Sequence, residues 1–207
     1  MSRLKISTRI DSPRTAIIEY KGIRWGTLPA GALHPPFGLH MDEDVSEDTW
    51  EELRAHLLDY SRDRLFDYLA KAEHTELQCR RYLKSRLLHP ELAEELIAQA
   101  KDRNFLSDSR YSELYIRSLL ESGRSRRYII SKLKLQKIPA SIYEPLLQEY
   151  YVPEDSQALL REEIRSQLVR YRELPGAKAR EKIYAALYRK GWSLEEISSA
   201  WNAVEKE

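Results

Sequence analysis

The sequence predicts a mainly α-helical protein: three tandem three-helix repeats in an elongated, curved array, preceded by a small N-terminal β-hairpin extension. Three observations predict it. One apolar pattern recurs three times along the chain, which is how repeat architectures show themselves. From Ser46 onward the apolar residues are spaced for helices with little interruption. Before Ser46 the chain carries β-branched and aromatic runs broken by turn residues.

The stretch "TAIIEYKGIRWGTL" places strand-forming residues on both sides of Lys21-Gly22 and reads as a short hairpin. "LPAGALHPPFGLHMDEDVS" follows with tandem prolines and reads mostly as connection. Ser46 is placed to cap a helix whose first turn holds Glu47 and Asp48, charges that suit the positive end of the helix dipole. Trp50, Leu53, Leu57, Leu58, Leu65, Tyr68 and Leu69 then recur at helical spacing, which predicts one long helix or two nearly coaxial ones up to about Ala72.

The repeat is anchored on Leu83, Leu133 and Leu187. Four residues before each stand Cys79, Ile129 and Ile183, on the same helical face. Five residues after stand Leu88, Ile138 and Trp192, each shortly followed by a new helix start. Leu92, Ile142 and Ile197, then Leu96, Leu146 and Trp201, continue the pattern into the third helix of each copy. Each copy is preceded by another helix, at about 62–73, 109–122 and 156–173. The boundaries are an N-terminal β-containing extension (1–45), a connecting helix (46–61) and repeats at 62–107, 108–152 and 153–207. Cys79, in a slot that isoleucine fills elsewhere, reads as a small buried hydrophobe.

The chain has 207 residues, 42% hydrophobic and 32% charged, an ordinary globular composition. No apolar run approaches the roughly 20 residues that cross a bilayer, so no membrane association is expected. The start, "MSRLKISTRI", lacks the apolar stretch of a signal peptide, and a lone cysteine suits a reducing compartment; a cytoplasmic location is expected. No phosphate-binding glycine loop, His-Glu-x-x-His or paired-cysteine zinc spacing occurs. "HMDEDVSED" lacks the turn glycine of an EF-hand loop, and its acids more simply load a helix N-terminus. The five histidines share no face or ligand spacing. The expectation is a protein without cofactor, metal or catalytic constellation.

The net charge is only +1, but residues 1–61 carry 7 basic and 10 acidic side chains against 27 and 23 in residues 62–207. The densest basic stretch is "GRSRRYIISKLKLQKI". Gly123 ends one helix, Ser125 is a plausible N-cap for the next, and Ile129, Ile130 and Leu133 form its buried stripe. Arg127, Ser131 and Lys134 then share a flank, with the two cations about 10 Å apart along the axis. Two readings stand: solvated cations paired with neighbouring acids, or an anion site at a helix start. Arg124, Arg126 and Arg127 crowd a helix N-terminus, where the dipole disfavours cations by about 0.3–1 kcal/mol each. Lys178 and Arg180 sit at the corresponding start of the third copy; Lys84 and Lys134 share one slot, and Arg86, Gln136 and Lys190 another. A recurring basic edge suits phosphates or an acidic protein groove. Tyr111, Tyr115 and Tyr128 are placed either to stack on bases or to pack in the core.

"LSDSRYSELYIRSLLESGRSRRYIISKLKLQKI" resembles the central segment of RecX proteins, regulators of the bacterial recombinase RecA. The similarity lies in Leu106, Asp108, Arg110, Tyr111, Tyr115, Arg117, Gly123, Arg124, Arg126, Arg127, Ile129 and Leu133. "YAALYRKGWSLEEISSAW" resembles the family's C-terminal segment through Leu187, Arg189, Lys190, Gly191 and Trp192, and "HTELQCRRYLKSRLLHPELAEELI" fits its first repeat. Two departures stand out: Ser125 replaces a usual glycine, and Gln136-Lys137 replaces Lys-Gly, which points to an altered turn. The resemblance implies a monomeric, non-enzymatic modulator that binds the RecA–DNA filament and changes its growth, ATP hydrolysis and strand exchange, usually downward, in recombination and repair. The residues assigned to filament or DNA contact are Arg124, Arg126, Arg127, Lys134, Lys84, Lys178, Arg180 and Lys190. The alternative is a helical repeat protein that binds single- or double-stranded DNA, or RNA, without RecA.

Overall fold

Lys21 and Gly22 both take left-handed φ, 52° and 74°, the primed turn that matches the twist of a two-residue hairpin. They join β2 (Thr15–Tyr20) to β3 (Ile23–Pro29), where the sequence places its hairpin. In the computed structural model, which describes residues 1–8 and 12–206, the hairpin is half of a larger sheet. β1 (Ser2–Thr8) pairs antiparallel with β2, and β4 (Asp42–Val45) pairs with β1, giving the order β3-β2-β1-β4. So a segment read as connection contains a strand. β4 is too acidic to look like one, and it is held by pairing and by an ion pair from Arg3 to Asp42 at 2.7 Å. Alternation sends Leu4, Ile6, Ala16, Ile18 and Leu28 to one buried face.

That face lies on α1 (Glu47–Leu69). Ser46 caps this helix by accepting from the Thr49 N–H at 3.1 Å, and Glu47 and Asp48 occupy its first turn. The helix is continuous, so the connecting helix and the first helix of repeat 1 are one element, ending before the expected Ala72. Its Trp50, Leu53 and Leu57 pack under the sheet, with Tyr20 stacked on Trp50 at 4.2 Å between ring centres. Leu65 belongs to the same cluster as Cys79 and Leu83 of α2 (Glu76–Ser85) and Leu88, Leu92 and Leu96 around α3 (Pro90–Asp102). Sheet and first helix triplet thus share one core, within a unit spanning Met1–Ser107.

The second unit, Asp108–Glu207, holds two further triplets, each with a core of its own. α4 (Asp108–Glu121), α5 (Arg126–Leu135) and α6 (Ala140–Tyr150) enclose Ile116, Ile129, Leu133, Ile138, Tyr143 and Leu147. α7 (Pro153–Arg170), α8 (Gly176–Arg189) and α9 (Leu194–Val204) enclose Leu160, Ile164, Ile183, Leu187, Trp192 and Trp201, among others. No helix among the described residues is long and apolar enough to cross a membrane.

The anchors are buried in all three copies, Leu83, Leu133 and Leu187 at 1% exposure or less. The turn after each is built alike. Leu87, Lys137 and Gly191 take left-handed φ of 61°, 58° and 96°. The next residue returns an N–H to its anchor's carbonyl: Leu88 to Leu83 at 3.2 Å, Ile138 to Leu133 at 3.2 Å, Trp192 to Leu187 at 3.3 Å. Lys137 therefore keeps the turn that its missing glycine put in question. One slot further on, His89, Pro139 and Ser193 each stand at the N-cap of the third helix.

The predicted register fails in one place. Ile142 and Leu146 are only half-buried, and the buried pair on α6 is Tyr143 and Leu147, one residue later. The spacing from anchor to core is thus ten residues in the second copy, as in the third. In the first copy both faces are filled, by Leu92 with Ala93 and by Leu96 with Ile97, because α3 is also covered by α1.

Candidate functional site

The chain turns out of α4 at Gly123, whose N–H returns to the Leu120 carbonyl at 2.9 Å while that of Arg124 returns to Leu119 at 3.0 Å. Ser125 is fully enclosed and caps α5 by accepting from the Tyr128 N–H at 3.2 Å. The chain therefore leaves one helix and enters the next within five residues, all of them polar or glycine. No acidic residue stands in the first turn of α5, so Arg126 and Arg127 face the positive end of the dipole without compensation from within that turn.

The eight predicted cations divide by what they touch. Arg127, Lys134, Lys84 and Lys178 are exposed, and none has a hydrogen-bond or ion-pair partner among the described residues. Arg126 is half-exposed, and its one acidic neighbour, Glu144, is 4.0 Å away, too far and too solvated to hold it. Arg127 and Lys134 thus share an open cationic flank of α5, with Arg126 at the helix start about 100° around the axis. Lys84 is on α2 of the first unit, and Lys178 is in the first turn of α8.

The other three are committed within the second unit. Arg124 lays its guanidinium over the Tyr128 ring at 4.6 Å, and its Nη1 donates to the Arg189 carbonyl at 3.4 Å. Its Nε is buried with no hydrogen-bond partner among the described residues. Lys190 places Nζ 3.1 Å from the Glu163 carboxylate. Burial alone raises the Glu163 pKa, but hydrogen bonds from Gln167 and Lys190 outweigh it and hold the group below the ordinary carboxylate value. Arg180 contacts the Tyr184 hydroxyl at 3.2 Å and lies over the Tyr184 and Trp201 rings. The match of Arg180 to the α5 start is also inexact: α8 begins with an extra turn, so the slot of the Ser125 cap falls on Ala179, inside the helix.

Tyr111 and Tyr115 pack against the core of their triplet. Tyr128 is flanked by Arg124 and, at 5.0 Å, by Lys132. What sequence reading missed is the joint between the second and third triplets. The Ser125 N–H donates to the Lys190 carbonyl at 3.1 Å, and Trp192 Nε1 donates to the Gly123 carbonyl at 3.0 Å. A Cβ on Gly191 would stand 2.5 Å from the Tyr128 Cβ, so the glycine is required by close approach. The signal was present: only this copy has glycine in the left-handed slot. Among the described residues, no group of three or more His, Cys, Asp or Glu side chains is placed to hold a metal. What the open flank of α5 can do is bind anions.

A family model described as the third three-helix domain of RecX matches residues 154–201. Among curated proteins, the regulatory protein RecX of Streptococcus mutans is 23% identical over 83% of this chain and 66% of its own length. That of Finegoldia magna is 29% identical over 69% of this chain and 73% of its own. A crystal structure titled regulatory protein RecX aligns over the full length of both chains, with a TM-score of 0.63 at 20% identity. RecX from Lactobacillus salivarius aligns over 72% of this chain and 97% of its own, with a TM-score of 0.61. At such identities the structural likeness establishes the fold.

Proposed function

Because the chain belongs to the RecX family, we propose that it is a non-catalytic modulator of RecA. It binds the RecA–DNA filament as a monomer in the cytoplasm and alters filament growth, ATP hydrolysis and strand exchange, most simply by repressing them. The observation that carries this reading is the set of open cations on α5, Arg127 and Lys134 on one flank with Arg126 at the helix start, on a fold shared with proteins named as regulators. Cations without internal partners are free to meet filament acids or DNA phosphates at little desolvation cost. Contacts made by several helix triplets at once gain avidity from being joined in one chain.

The test is RecA hydrolysing ATP on single-stranded DNA while this protein is titrated in, with co-pelleting run in parallel. Hydrolysis falls and the protein pellets only when RecA is present. No change in hydrolysis, filament length or strand exchange overturns the proposal. Pelleting with DNA alone, with a steep salt dependence, assigns the protein to direct nucleic-acid binding instead.

A further inference from the structure

We propose that the cleft where the β2–β3 hairpin meets α1 and α2 is a binding site for a phosphate group. The cleft has a volume of about 140 Å³. A single water needs only on the order of 10–15 Å³ in the same measure, so a tetrahedral oxyanion fits with waters to spare.

The lining carries two guanidinium groups, from Arg64 and Arg86, and no carboxylate among the described residues. Each arginine is placed by the residue one turn earlier on its own helix. Arg64 lies over Tyr60 at 5.5 Å on α1, and Arg86 over Tyr82 at 5.2 Å at the end of α2. Two tyrosine–arginine pairs thus flank one opening. Their backbones are tied as well: the Tyr82 hydroxyl donates to the Arg64 carbonyl, and that of Thr27 to the Arg86 carbonyl, both at 3.1 Å. The guanidinium groups are therefore pre-positioned, which limits the ordering cost of binding.

Ser61 also lines the cleft, on a residue only 9% exposed, and brings a hydroxyl to its wall. The nearest competitor for the arginines is Asp67, 4.0 Å from Arg64 and exposed, a pair too loose to neutralise the site. Arg86 has no acidic partner among the described residues. Two forked cations and a hydroxyl, without an acid, are the recognition chemistry of phosphate. The phosphate comes either from a small ligand or from a nucleic-acid backbone.

The experiment is calorimetric titration of the full chain at fixed ionic strength with inorganic phosphate, pyrophosphate and a short single-stranded oligonucleotide, each separately. Response to free phosphates assigns a small ligand; response to the oligonucleotide alone assigns a phosphodiester. Either is expected to weaken about tenfold or more in Arg64→Gln and in Arg86→Gln, with far-UV circular dichroism unchanged. Should a glutamine variant unfold, Arg86→Lys replaces it: it keeps the charge, loses the fork, and is expected to bind several-fold more weakly. The inference does not depend on the RecA reading, since Arg126→Ala with Arg127→Ala leaves free-phosphate binding intact. No response to any probe, or a response untouched by the substitutions at Arg64 and Arg86, overturns it.

Discussion

Ser125 donates its backbone N–H to the Lys190 carbonyl at 3.1 Å, so the residue that caps α5 also fastens the second triplet to the turn of the third. The same carbonyl slot is used in the first unit, where Arg86 accepts from the Thr27 hydroxyl at 3.1 Å. The turn after the anchor is therefore a docking point as well as a helix stop. It covers the exposed edge of β3 in one place and a neighbouring helix start in the other.

Gly191→Ala is expected to destabilise the second unit by about 2 kcal/mol or more, from strained left-handed backbone plus overpacking against Tyr128. Gly22→Ala is the control: it also has positive φ, but nothing lies within 4 Å of the added Cβ. Urea unfolding followed by circular dichroism checks both, and equal losses would show that close approach contributes nothing.

Lys137→Gly should stabilise by up to about 1 kcal/mol, since relief of left-handed strain exceeds the entropy that glycine adds to the unfolded chain. Leu87→Gly relieves the same strain but gives up a half-buried side chain, so it should not gain. The two differ in sign, which the unfolding midpoint reads directly.

Arg126→Ala with Arg127→Ala is expected to leave the melting temperature unchanged or slightly raised, because two cations leave a helix N-terminus where each costs about 0.3–1 kcal/mol. RecA co-pelleting should weaken. Arg124→Ala should instead lower the melting temperature, since it removes the cover of Tyr128 and the bond to Arg189. A stability loss in the double variant as large as in Arg124→Ala would place all three arginines in the joint.

Glu163 has a folded pKa below its unfolded value, so its contribution is fully present above the ordinary carboxylate range and is lost as pH falls through the folded pKa. Glu163→Gln should therefore be less stable than the parent at neutral pH, with the gap closing on acidification. Urea midpoints measured across that range check it; a gap constant with pH would remove the Lys190 pair from the account.

The fold was legible in the sequence where the cause is local. Ser46, Ser125 and Ser193 cap helices because a hydroxyl reaches an N–H three residues on, and that geometry lies within four consecutive residues. The anchors were legible because helical periodicity puts Ile129 beside Leu133 whatever surrounds them. β1 and β4 were not: Asp42–Val45 has no strand pattern of its own, and its partner is Ser2–Lys5, forty residues away. The shift from Ile142 to Tyr143 also escaped, because both residues are apolar and one helical step apart.

By itself the sequence determined three copies of one helix–turn–helix pattern, their caps, and where the cations concentrate. Only the tertiary structure decided what those cations do. Arg124 meets the carbonyl of Arg189 and Lys190 meets Glu163, while Arg126, Arg127 and Lys134 meet solvent. The reason is one of range: caps and periodicity act over a few residues, but whether a guanidinium is paired depends on which distant backbone the chain folds beside it.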